Sequence, residues 1–517
     1  MKLKFKKEFF QILSEKLSEL KKVIQLAIKH GYQIGNDSLA FLQSLTEDEA
    51  EKIVKEALKV AEEKNPKPIV IDKNILEECK ERIKPKNVVG LKTKIPIAKE
   101  FESKIEVLKD PTIKISSTGS IEEFNQYFRS RFNKLKKVFQ QRIDSKTANS
   151  LSHALQAPLN SKVKFIAMII EKKEKKDKII LKVDDEETLG TVIVFKERNK
   201  EVYEVAQSLV LDQVVCIEGV VIKNGLIAAE NIIYPDLPEK KRENNNNEYD
   251  DVSVALMADV HCGSKTFLKE IFERFILWLN GEVGNEKQKE LAGRIKYIII
   301  AGDLIDGVGV YPEQEKELEV TNVYQQYEII AKYLRRIPDY IDIIIIPGNH
   351  DAVRQALPQP AIPKECMELI NENERVISLG NPCEIKLHGF SFLIYHGTSL
   401  NDIISSVPKL NYEKPEKALE FLLKVRHLAP IYGANTPIAP EKEDYLVIDD
   451  VPDVFVAGHT HVAGCSRYKG TMVISCGTWQ AQTEYQKKLN VRPTPGILPL
   501  IHLGKMQMSI IDFSFIF

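Results

Sequence analysis

Ile343-Ile344-Ile345-Ile346-Pro347-Gly348-Asn349-His350-Asp351 carries an apolar run straight into a carboxamide, an imidazole and a carboxylate. The run 341–346 reads as a strand, and Pro347-Gly348 closes it. Four more apolar runs end the same way. Residues 252–257 lead to Asp259-Val260-His261, 297–301 to Gly302-Asp303, 390–395 to His396-Gly397, and 454–457 to Gly458-His459-Thr460-His461. Helical stretches at 268–279 and 324–336 separate several of them, so residues 252–517 read as one α/β domain. Ligands collect at the carboxyl ends of strands in such sheets, and the five tips are expected to converge on one edge. Their donors are carboxylate, imidazole and one carboxamide, a set that suits one or two divalent transition metals. A lone His at a strand end is more often structural, and His388, on the strand side of Gly389, is read that way. The ordered set of five is what points to a site.

The preceding residues divide by composition. Residues 1–65 read as a helical module, with Phe9, Ile12, Leu13, Leu17 and Leu20 at helical spacing and a capping box at Thr46-Glu47-Asp48-Glu49. Prolines at 66, 68, 85, 96 and 111 break residues 66–157 into an expected tether with one helical piece at about 121–142. From 158 to 236 the period becomes two. Three strands, a helix and two more strands joined by an Asn224-Gly225 turn give the order of a small OB barrel. Its strands are poor in aromatics, so docking against a neighbouring domain competes with single-strand binding. The polar run through Asn244 to Asn247 marks 237–251 as a linker.

Composition sets the outer limits. The 517 residues carry 73 basic and 74 acidic side chains, a net charge of −1, which argues against a bulk nucleic-acid coat but permits a local contact. No run approaches the roughly 18 apolar residues of a membrane span, and the lysine-rich start is no signal peptide. The seven scattered cysteines form no disulfide framework or structural zinc motif, and the expected location is cytoplasmic.

The ordered tips D-x-H, G-D, G-N-H-D, H and G-H-x-H resemble the calcineurin-like metallophosphoesterase superfamily, without substitution, across about residues 252 to 480. The resemblance implies a β-sandwich flanked by helices and two divalent ions. Asp259, His261 and His461 would hold one, Asn349, His396 and His459 the other, with Asp303 bridging. Mn2+ is the expected ion, with Zn2+, Fe2+ and Mg2+ as alternatives. His350 resembles the family's acid at the leaving oxygen, held by Asp351 or another carboxylate. Arg354 and Gln355 are candidate contacts to phosphate or strand, or plain surface residues.

A second resemblance is narrower. The order helical module, tether, OB barrel and phosphoesterase domain is similar to the small subunit of archaeal family-D DNA polymerase, a relative of eukaryotic polymerase B-subunits. Val425-Arg426-His427-Leu428-Ala429-Pro430, Tyr432-Gly433, Thr436-Pro437 and Gly477-Thr478-Trp479-Gln480 resemble that family too. It implies a 3′–5′ proofreading exonuclease acting on a DNA primer 3′ end beside a large polymerising subunit. The alternatives are a scaffold subunit with a vestigial metal site and a free-standing phosphoesterase or repair nuclease. Gln507-Met508-Ser509-Ile510-Ile511-Asp512-Phe513-Ser514-Phe515 resembles a sliding-clamp box, but Ser514 stands where a second aromatic belongs, and a final strand is the favoured reading.

Overall fold

A computed structural model describes residues 26–30, 32–43, 45, 47–63, 70–83, 96–223, 225–240, 251–370 and 375–514, which fall into two units, Met1–Lys94 and Ile95–Phe517. In the first, helices Asn36–Gln43, Glu47–Glu63 and Lys73–Ile83 accompany a parallel pairing of β1 (Gln33–Ile34) with β2 (Val70–Ile71). Ile53, Val54, Ala57 and Leu58, one face of the second helix, are buried with Leu76 and Cys79. The unit therefore runs past residue 65. The expected helix near Phe9 to Leu20, and Thr46 with the side chains of its capping box, lie outside the described residues.

The larger unit takes in much of the expected tether. β3 (Ile105–Lys109) joins a sheet, and helix Ile121–Gln140 starts from a capping box between Ser120 and Glu123. That helix buries Tyr127, Phe132, Leu135 and Phe139. Prolines 96 and 111 sit at the starts of 3-10 turns, so they punctuate a folded segment instead of marking a free one. Arg131, wholly buried on this helix, reaches Asp444 Oδ2 at 2.9 Å, the Pro430 carbonyl at 2.7 Å and the Asp212 carbonyl at 3.2 Å.

β4 (Lys162–Glu174), β5 (Lys178–Asp184), β6 (Leu189–Phe195), β7 (Val214–Lys223) and β8 (Leu226–Ile233) close a five-stranded barrel in the order β4-β5-β6-β8-β7. Helix Lys200–Gln207 lies between β6 and β7 in sequence. The alternation at Phe165, Ala167 and Ile169, and at Ile179, Leu181 and Val183, points into the core. Of the expected linker, residues 241–250 lie outside the described residues, while Lys240 Nζ is anchored 2.6 Å from Asp453.

The remainder is two six-stranded sheets packed face to face. The first has the order β12-β11-β10-β9-β18-β19, in which β9 (Ser253–Met257), β10 (Ile295–Ala301), β11 (Asp342–Ile346) and β12 (Val376–Ser378) are parallel. The second, β16-β17-β15-β14-β13-β3, contains β13 (Cys383–Leu387), β14 (Phe390–Tyr395), β15 (Val454–Ala457), β16 (Gly464–Tyr468) and β17 (Thr471–Ser475). β15 runs parallel to both of its neighbours, β14 and β17. Ile344 and Ile346 pack with Phe392, Ile394 and Val456 between the sheets. Ile343 and Ile345 face the other way, onto helices Lys269–Leu279 and Val323–Leu334. A strand buried on both faces needs apolar side chains at every position, which explains the unbroken isoleucine run.

β18 (Ile497–His502) pairs with β19 (Gln507–Asp512), and Phe513 is buried beside Trp278 and Trp479. The run thus forms the final strand that was favoured for it, with its first aromatic in the core, while Phe515 lies outside the described residues. No described helix is long and apolar enough to cross a membrane.

Candidate metal centre

Three tips follow neighbouring parallel strands of the first sheet, β9, β10 and β11, and two follow β14 and β15 of the second. The five meet at the end of the sandwich where the carboxyl ends of these interior strands of both sheets come together. The loops interlock through the backbone: Asp259 N donates to the Gly302 carbonyl at 3.0 Å, and Gly458 N to the His396 carbonyl at 2.8 Å. His459 N donates across the sandwich to Asp259 Oδ2 at 2.8 Å.

Five of the seven expected ligands have left-handed backbone: Asp259, His261, Asp303, His459 and His461, with φ between 50° and 70°. Each non-glycine residue held there costs about 1–2 kcal/mol, so the fold stores strain where it aims these side chains. Gly348 answers a different demand. A Cβ there would overlap Asp303 Oδ1, and only glycine lets the Asn349 loop lie against that carboxylate.

The ligand atoms form two groups. In one, His461 Nε2 lies 3.4 Å from Asp259 Oδ1 and 3.0 Å from His261 Nε2. In the other, His396 Nε2 lies 3.2 Å from Asp303 Oδ2 and 3.1 Å from Asn349 Oδ1, with His459 in the same cluster. Asp303 Oδ2 is also 3.7 Å from His261 Nε2, so one carboxylate oxygen addresses both groups.

The donor set fits cations. His396 Nδ1 lies 2.9 Å from the Ala301 carbonyl, which fixes the proton there and turns the Nε2 lone pair toward two oxygens that also only accept. Among the described residues, no Lys or Arg ion pair reaches Asp259 or Asp303. Burial would lower the pKa of His261, but its hydrogen bond to Asp306 and the charge of Asp303 raise it to about 9. His396 is likewise raised to about 9, the Asp303 carboxylate outweighing burial. Burial keeps His459 down at about 3, in the neutral form that ligates metal. The field of the carboxylates thus favours positive charge at the centre of the cluster.

The chemistry-bearing neighbours differ in part from expectation. His350 lies at the rim, its Nδ1 2.8 Å from the Asp306 carbonyl and its ring edge-on to His261. Of its expected holders, Asp351 or another carboxylate, Asp351 makes no hydrogen bond to the imidazole, while the Asp306 carboxylate stands 3.8 Å from Nδ1. That buried carboxylate accepts from Gly348 N at 2.9 Å, Leu304 N at 3.3 Å and Ile305 N at 3.4 Å, tying the Asp303 and Asn349 loops together. Arg354 is engaged by Glu441 at 2.8 Å and the Pro358 carbonyl at 2.6 Å. Gln355 is exposed, and its amide donates to the Asn349 carbonyl at 2.7 Å.

Three supporting residues were not foreseen. Asp306 Oδ1 lies 2.8 Å from His261 Nδ1, Asn401 Nδ2 lies 3.0 Å from His459 Nε2, and Gln486 Nε2 lies 2.8 Å from His461 Nδ1. Asp306 follows Asp303 by three residues and was open to inspection. Asn401 and Gln486 belong to no motif.

Residues 254–464 match the family of DNA polymerase alpha/epsilon B-subunits. The chain is 42% identical over 451 residues to the DNA polymerase II small subunit of Archaeoglobus fulgidus, covering 84% of this chain and 87% of that protein. To the protein of the same description in Methanothermobacter thermautotrophicus it is 38% identical, covering 81% and 85%. For that in Methanocaldococcus jannaschii the identity is 40%, with 79% and 69% covered.

Proposed function

Because the chain belongs to the family of archaeal DNA polymerase II small subunits, we propose that it is the 3′–5′ exonuclease of a replicative polymerase, hydrolysing the terminal phosphodiester of a DNA primer. The observation that carries this reading is Asp303, whose Oδ2 lies within 4 Å of a histidine nitrogen from each ligand group. Such a carboxylate is what a pair of divalent ions shares.

Asp259, His261 and His461 would hold one ion, Asn349, His396 and His459 the other, and Asp303 both. Mn2+ suits the mixed oxygen and nitrogen donors, as do Zn2+, Fe2+ and Mg2+. Bound there, the pair supplies neutralising charge at the phosphate and a water acidic enough to attack at neutral pH. The chain's own residues do the rest. Asp306 orients His261, and its carbonyl holds His350 Nδ1, which leaves Nε2 as the ring nitrogen available to the leaving oxygen. Asp351 keeps the two loops in register. Asn401 and Gln486 orient His459 and His461. The five-stranded barrel, read as an OB fold, and the description of the relatives as small subunits support docking to a large polymerising subunit. That partner would hold the duplex, which fits a chain of net charge −1.

The test incubates the full chain with Mn2+ and a 3′-mismatched primer–template, beside His459→Ala. Metal-dependent shortening from the 3′ end, lost in the variant, is expected. No trimming, alone or with a large subunit, refutes the nuclease, and tight binding of that subunit without trimming would assign a scaffold. Preferential turnover of small phosphomonoesters would assign a phosphatase.

A further inference from the structure

Beside the metal centre an aromatic ring stands open to solvent. Tyr311 is 38% exposed, yet its ring centroid lies 6.2 Å from that of His350, at an interplanar angle of 66°. Its hydroxyl donates to Glu317 Oε2 at 3.0 Å, so the ring is held from two sides. The loop that carries it turns through Gly307 and Gly309, both at positive φ. Buried Gln314 pins the loop by accepting from Val310 N at 2.9 Å and donating to the Asp306 carbonyl at 2.7 Å. That carbonyl is the one against His350 Nδ1. Tyr311 is therefore fixed to the same residue that orients the chemistry, while part of it stays uncovered.

Large apolar rings are normally buried, and a rigid, part-exposed one at a site mouth is a surface for a flat partner. A phosphodiester in a nucleic acid brings such a partner on the far side of one sugar. Resting on the exonuclease reading above, we infer that Tyr311 is a stacking platform for the base of the 3′-terminal nucleotide. It would select nucleic-acid ends over other phosphodiesters. A base can stack there only when it has left its pair, so the platform would favour frayed or mismatched ends. Because the ring is already ordered, little conformational entropy is lost when the base arrives.

The test compares the full chain with Tyr311→Phe and Tyr311→Ala in Mn2+. The substrates are an oligonucleotide with an ordinary 3′ nucleotide and one whose 3′ residue lacks its base. The wild-type ratio of kcat/KM, ordinary over abasic, is expected to be about tenfold, retained in Tyr311→Phe and lost in Tyr311→Ala, a change of about 1.4 kcal/mol. An unchanged ratio in Tyr311→Ala overturns the platform, because a ring that only supports His350 would slow both substrates alike. A second reading does not depend on cleavage: 2-aminopurine at the 3′ terminus, bound in Ca2+, is expected to be quenched by the wild type and not by Tyr311→Ala. Quenching that needs Tyr311 without any trimming in Mn2+ keeps the platform and removes the nuclease. Trimming with neither a Tyr311-dependent ratio nor Tyr311-dependent quenching removes the platform alone, and absence of both trimming and quenching removes both.

Discussion

Asp306 Oδ1 lies 2.8 Å from His261 Nδ1, placing a buried carboxylate directly behind an imidazole whose other nitrogen faces the ligand cluster. Such a partner fixes the tautomer and orientation of a ligating histidine and raises its basicity. Asp306→Ala is expected to raise the Mn2+ concentration for half-maximal activity by about 10- to 100-fold. A metal titration of 3′ trimming checks this, and an unchanged midpoint would reduce Asp306 to a packing residue.

Asp351 is a structural test case. It accepts from three backbone amides and does not touch His350. Asp351→Ala leaves those amides without their acceptor and is expected to cost about 1–3 kcal/mol. The fall should appear in the melting temperature without substrate or metal. A catalytic defect at unchanged stability would restore Asp351 as a partner of the acid.

The buried pair of Arg131 and Asp444, 2.9 Å apart and both wholly buried, joins helix Ile121–Gln140 to the sandwich. Removing one partner of such a pair is worth about 3–5 kcal/mol, since the other charge stays behind uncompensated. Arg131→Ala is expected to lose that much in denaturant unfolding. Arg131→Ala and Asp444→Asn combined should lose less than the sum of the two.

His427 adds a pH dependence. It lies 2.8 Å from Asp444, and burial, helped by Arg131, brings its pKa from 6.5 down to about 4. The unfolded chain therefore binds a proton between those values that the folded chain does not. This contribution is complete above pH 6.5 and is lost as pH falls toward 4, at up to about 1.4 kcal/mol per pH unit. Asp444, held low chiefly by His427 and Arg131 against the effect of burial, loses its contribution below its own ordinary range, so the two act in the same direction. Unfolding midpoints measured from pH 7 to 4.5 should fall, and His427→Asn should flatten the slope.

The strand-end motifs were legible because two unrelated signals coincide in each: an unbroken apolar run, required by burial on both faces, and a polar tip just after it. The barrel was legible through its period of two. What supports the ligands was not, since Asn401 and Gln486 reach His459 and His461 from the short helices Leu400–Ser406 and Glu484–Lys488, whose approach depends on the finished fold. The partner of Arg354 was hidden for a related reason: Glu441 is 87 residues away in sequence. The prolines around residues 96 and 111 suggested a free tether because sequence spacing does not show that β3 finds an edge beside β13. The left-handed backbone of Asp259, His261, Asp303, His459 and His461 also goes against local preference, and packing imposes it.

The proposed site takes two divalent ions around one shared carboxylate, Asp303. The number of Mn2+ ions bound per chain, counted by elemental analysis after equilibrium dialysis, decides whether it does. Two ions are expected for the wild type, one for His461→Ala, and loss at both positions for Asp303→Ala. One ion in the wild type, or two retained by Asp303→Ala, would contradict it.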